Sequence, residues 1–98
     1  MTEIILKTNN PDHASLVVKE ALELEKMRVR HSLELTKNRL KRFEKKYNVS
    51  SNTFINQWSA EDLKGGDMEY VEWAGEYRFA LNLSERFDTL KSIKHVTP

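Results

Sequence analysis

Residues 12–47 read DHASLVVKEALELEKMRVRHSLELTKNRLKRFEKKY, and this stretch decides the fold. Val18, Leu22, Val29, Leu33, Thr36, Leu40, Phe43 and Tyr47 recur at steps of three, four and seven. At about 100° per residue, such steps hold side chains on one narrow stripe of a helix. The interior has no glycine or proline, and a helix of this length runs roughly 54 Å at 1.5 Å per residue. Asn10 offers a side-chain acceptor at the N-cap, and Pro11 brings the fixed φ of a first helical position. A helix so long in a chain of 98 residues needs a partner along its stripe. It reads as one arm of a hairpin or coiled coil.

Downstream, Asn48-Val49-Ser50-Ser51 ends the long helix and starts another, with Ser50 as N-cap. Phe54 and Trp58, four residues apart, share a face of a short helix over 51–60. Glu61 to Gly66 reads as a polar connection. The last helix is expected over 67–93, capped by Asp67. Its first half puts Tyr70, Trp73, Ala74, Tyr77 and Leu81 on one face, beside Glu69, Glu72 and Glu76. In the second half that neighbouring arc carries Phe79, Leu83, Phe87 and Leu90. The buried face is therefore expected to widen or rotate near Arg78 and to need a second packing partner.

The expected fold is mainly α, one domain over residues 1–98. It is a long antiparallel, coiled-coil-like hairpin of helices 12–47 and 67–93, with the short helix between them. The last helix covers residues 21–47 of the first. Residues 12–20 overhang, and Leu16, Val17 and Val18 have nothing in the chain to bury them. Residues 2–8, Thr-Glu-Ile-Ile-Leu-Lys-Thr, are rich in β-branched side chains and stop at the turn cluster Asn9-Asn10-Pro11, so they read as a short strand. A lone strand cannot satisfy its own backbone groups, and the chain has no second good strand. The strand pairs with a second copy or another protein, or the segment is a frayed extended arm.

Composition narrows the function. The chain has no cysteine, which removes disulfides, thiol catalysis and cysteine-based zinc sites. Its longest aliphatic runs, Ile4-Ile5-Leu6 and Leu16-Val17-Val18, are far too short to span a membrane. With no basic-then-apolar leader at the N-terminus, the expectation is a soluble cytoplasmic protein. The net charge of +1 hides a segregation. Residues 26–46 hold nine basic residues against Glu34 and Glu44, a net of +7, whereas residues 61–88 carry a net of −5. A basic helix lying antiparallel to an acidic one explains this without a ligand, since opposed charges beside an apolar seam fix pairing. The competing reading is a nucleic-acid surface made by Arg39, Lys41, Arg42, Lys45 and Lys46. Against it, the chain has no zinc motif, no helix-turn-helix glycine turn and no exposed aromatics between the basic residues.

Catalytic chemistry is hard to find. His13, His31 and His95 are scattered, and none has another His, Asp or Glu at the i, i+4 helical spacing of a metalloenzyme motif. Glu69, Glu72 and Glu76 form a carboxylate row, but a di-metal helical site also needs Glu-x-x-His motifs. Ser50-Ser51 lacks histidine–aspartate company, and Gly65-Gly66 is a loop rather than a phosphate cradle. The reading is a non-enzyme with no cofactor, metal or small-molecule substrate.

Lys46-Tyr47, Ser50-Ser51, Phe54, Trp58 and Gly65-Gly66-Asp67 follow one another in an ordered pattern, completed by Tyr70, Glu72-Trp73, Tyr77, Leu81, Arg86 and Leu90. From about Leu40 to Ile93 the chain resembles small antitoxin-like helical proteins of prokaryotic toxin–antitoxin loci. The loop departs from that pattern in being less acidic, Gly65-Gly66-Asp67-Met68-Glu69. The resemblance implies a partner that neutralises a cognate toxin, and it brings no functional residues of its own. Strand addition to a toxin's sheet edge would use Ile4, Ile5 and Leu6, and helix packing would use Leu16, Val17 and Val18. The alternatives are the nucleic-acid-binding protein described above and a structural coiled-coil homodimer.

Overall fold

The computed structural model describes residues 2–63 and 65–93. The expected hairpin is present. Helix α1 runs Pro11–Tyr47, α2 runs Ser51–Gln57, and α3 runs Asp67–Ser92, with a single 3₁₀ turn at Ala60–Leu63 between α2 and α3. The molecule is a rod of 61 × 25 × 18 Å. Its radius of gyration is 19.2 Å, against about 13 Å for a compact chain of this length.

The start of α1 follows its sequence signals. Asn10 sits at the N-cap and its side-chain oxygen accepts from the His13 N–H, with Pro11 in the first turn. The helix ends at Asn48, whose φ of 54° lies in the left-handed region that asparagine tolerates. There the Val49 N–H donates to the Glu44 carbonyl at 3.3 Å. Ser50 caps α2, its hydroxyl oxygen accepting from the Thr53 N–H at 3.2 Å. This helix stops at Gln57, short of the expected 60, because Trp58 turns into extended backbone. The Trp58 ring then meets the edges of Tyr47 and Phe54 at 6.2 and 6.3 Å. Asp67 is not the cap of α3 but its first residue. Gly66 holds the N-cap position without a side-chain bond, while Asp67 and Glu69 place carboxylates in the first turn, where the helix dipole favours them.

Two apolar clusters make the core. The larger gathers Leu40, Phe54, Leu63, Trp73, Ala74 and Ala80, where α1, α2, the 3₁₀ turn and α3 converge. Trp73 lies at its centre, fully buried, stacked on Phe54 at 3.8 Å between ring centroids. Phe43 and Tyr47 stack on Trp73 from α1 at 5.5 and 5.6 Å. The smaller cluster, Val29, Leu33, Leu83 and Leu90, with Leu22 and Phe87 beside it, closes the far end of the hairpin.

The buried face of α3 shifts around the helix near Arg78, as expected: Tyr70, Trp73, Ala74 and Tyr77 pack into the aromatic cluster, whereas Ala80, Leu83, Phe87 and Leu90 lie about 110° further around at 100° per residue. Two details of the packing are corrected. Phe79 and Leu81, expected inside, are 48% and 52% exposed. The connection after α2 is not purely polar either, since Leu63 is buried in the aromatic cluster. Asp62 shapes that turn by accepting from the Ser59 N–H at 2.8 Å.

The N-terminal strand is corrected too. Residues 2–8 form no strand, and the described residues contain none. The physical reason is the one the sequence contains: a strand needs a second strand to satisfy its N–H and C=O groups, and the described residues supply none.

Candidate protein-interaction site

The exposed apolar side chains of the N-terminal part are unusually concentrated. Ile4, Ile5 and Leu6 are 90%, 77% and 71% exposed. Three consecutive large aliphatics in water, on a backbone with no secondary structure, leave about 2 kcal/mol of burial free energy each unrealised. The overhang continues the pattern. Packing between the helices begins at Leu22, so Leu16 and Val17, N-terminal to it, stay half exposed. Val18 is more sheltered than these two, being on the seam side of α1. The structure thus places five of the six candidate partner-binding residues in the open: the arm Ile4, Ile5, Leu6 and the first turns of α1.

The basic residues divide into two groups. Arg39 donates to Glu76 at 3.2 Å and Lys46 donates to Glu69 at 2.6 Å, both across the hairpin. These are the cross-helix pairs that the charge segregation predicts, joined at the far end by Arg86 and Glu25 at 3.1 Å. Lys41, Arg42 and Lys45 are exposed and have no ion pair among the described residues. Of the five candidate nucleic-acid contacts, two are thus committed to holding α3.

Around Glu69 the pairing is reciprocal. Its two oxygens accept from Lys46 Nζ and from the Tyr47 hydroxyl at 2.5 Å. The Lys46 ammonium, and then the Tyr47 hydrogen bond, hold the Glu69 carboxyl below its usual range. The same contacts raise Lys46, and the hydrogen bond to Glu69 raises Tyr47. Glu25 is lowered chiefly by its hydrogen bond from Arg28; partial burial works against this and Arg86 assists it. Lys46 is exposed and Glu25, Tyr47 and Glu69 keep part of their surface in water, so these pairs orient the helices more than they stabilise them.

An open groove of ≈ 810 Å³ runs between α1 and α3 on the side away from α2. Basic Arg39, Arg42 and Lys46 line one wall and acidic Glu69, Glu72 and Glu76 the other, over Phe43, Val71, Gly75 and Phe79. The opposed charges leave it nearly neutral, which suits a polypeptide better than a polyanion. Sequence reading did not find this groove. Its only signal is Met68, Val71, Gly75 and Phe79 at steps of three and four, a second stripe on α3.

Of the chemistry considered earlier, His13 and His31 lie apart on α1, and His95 lies outside the described residues, as does Lys64 in the Glu61–Gly66 connection. Among the described residues no group of three His, Asp or Glu side chains is placed to hold a metal ion. No described helix is long and apolar enough to cross a membrane. Comparison with family models, curated proteins and solved structures finds no match to this chain.

Proposed function

We propose that this chain is a protein-binding module of antitoxin type. It neutralises a cognate toxin, a ribonuclease, by covering the toxin's active site. The observation that carries this reading is the exposed run Ile4-Ile5-Leu6 on a backbone segment with no hydrogen-bonded partner among the described residues. Such a segment adds to the edge of another protein's sheet: main-chain hydrogen bonds supply affinity, and alternate side chains supply selectivity. Leu16, on the uncovered first turns of α1, extends the contact as a helix face. The likeness of residues 40–93 to antitoxin-like helical proteins supports the class of partner. The hairpin, in this view, is the rigid handle that presents the arm.

The test is purification of the tagged full-length chain from its source cell, with mass spectrometry and light scattering on the eluate. A stoichiometric second protein that persists at high salt is the expected result. Ile5→Asp should lose that protein while leaving the helical content unchanged. A chain that elutes with no other protein contradicts the reading.

A further inference from the structure

We propose that a second copy of this chain packs antiparallel on the grooved side of the hairpin, α1 against α1, in one definable register. Helix α1 has a second stripe. Val17, Ala21, Leu24, His31 and Leu35 lie about 130° around the helix from the seam of Val29, Leu33, Thr36 and Leu40. Leu24 and Leu35 are 66% and 43% exposed, so nothing among the described residues covers this stripe. Further along the same face it turns basic, at the groove residues Arg39, Arg42 and Lys46.

Charge selects the occupant and its direction. Residues 11–25 of α1 carry a net −3, and residues 26–46 carry +7. A parallel second copy would lay each half on its own sign. An antiparallel copy lays the acidic half on the basic one. One register then satisfies two contacts together, each pair of residue numbers adding to 59: Leu24 faces Leu35, and Val17 sits over the groove at Arg42. Arg28 falls beside His31 near the two-fold axis, where its guanidinium is already paired with Glu25 at 2.7 and 3.0 Å.

Gly75 fits this arrangement. Glycine inside a helix costs about 1 kcal/mol relative to alanine. The chain's own packing does not require it, because no atom lies within 4 Å of an added Cβ. It flattens the groove wall where the other copy's α1 enters. A face of 61 by 25 Å is ample for the ~800 Å² per partner of a stable interface. A two-fold arrangement repeats every contact, the self-complementary interface usual in dimers. Val17 is taken by the second copy, whereas Ile4, Ile5, Leu6 and Leu16 remain open.

The test is cysteine cross-linking in the full-length chain, which has no native cysteine. Under mild oxidation the double variant Val17→Cys/Arg42→Cys should form a covalent dimer, while Val17→Cys alone and Arg42→Cys alone should not. Cross-linking of Val17→Cys alone would signal parallel pairing and overturn the proposal, as would a double variant that stays monomeric. In sedimentation the wild type should run at twice 11.5 kDa, and Gly75→Phe, checked as helical by circular dichroism, should run as a monomer. A monomeric wild type, or a Gly75→Phe that dimerises as tightly, equally overturns it. No other protein enters these measurements, so they stand apart from the search for a toxin.

Discussion

The indole N–H of Trp73 donates to the hydroxyl of Ser51 at 2.8 Å, inside the core, and this bond joins α3 to the first residue of α2. Ser51 in turn gives both its hydroxyl and its backbone N–H to one Glu44 oxygen, at 2.9 and 2.8 Å. One serine therefore connects all three helices. Tryptophan is tolerated at the centre of a stack because its single polar atom has a partner.

Ser51→Ala should accordingly cost about 2 kcal/mol, because it leaves a buried indole N–H unsatisfied rather than merely deleting a bond. Urea denaturation followed by the fluorescence of Trp58 and Trp73 measures it. A loss within the noise of a surface substitution would show that the bond does not tie the helices.

Thr36 presents the opposite case. Its side chain is fully buried on the α1 seam and its hydroxyl has no hydrogen-bond partner among the described residues. Thr36→Val exchanges that hydroxyl for a methyl of similar size and should stabilise the chain by about 1 kcal/mol. The midpoint of thermal or urea unfolding reports it. A destabilised variant would mean that the hydroxyl is satisfied in solution.

The Lys46–Tyr47–Glu69 cluster predicts a signed pH dependence. Glu69 is lowered from 4.5 in the folded chain, so its contribution is present above that value and fades as pH falls through the folded value. Lys46 and Tyr47 are raised from 10.5 and 10.0, so their contribution is present below those values and fades as pH rises through the folded ones. Stability should decline at both extremes, by modest amounts because water still reaches all three groups. Glu69→Gln should flatten both limbs in a comparison of unfolding midpoints across pH; unchanged limbs would refute the assignment.

The hairpin was legible because long-range order in α1 is written as periodicity. Val29, Leu33, Thr36 and Leu40, all on the expected stripe, are its buried residues. Caps were legible where a side chain does the capping, as at Asn10 and Ser50, and not at Gly66, where backbone alone serves. Ala80 escaped notice because a small seam residue has little hydropathy. Phe79 and Leu81 misled for the complementary reason, since hydropathy does not say which large side chain stays outside. The Glu44–Ser51–Trp73 network depends on three helices meeting, which no local window contains. As for the site, exposure of the overhang followed from counting helix lengths and that of Ile4–Leu6 from the lack of a second strand to pair with, whereas the groove required the two helices to be set side by side.

Arm and handle should also separate by mutation. Leu16→Asp and Ile5→Asp alter residues outside both core clusters. Each should leave the unfolding midpoint within about 0.5 kcal/mol of wild type while lowering the amount of partner captured. Loss of stability in either would show that the residue serves the fold instead.

The most direct measurement is amide hydrogen exchange over residues 2–8, free and in complex with the protein that co-purifies. Strand addition predicts fast exchange in the free chain and protection of alternate amides in the complex. If those amides exchange equally fast in an intact complex, the arm is not the binding element and the central claim is wrong.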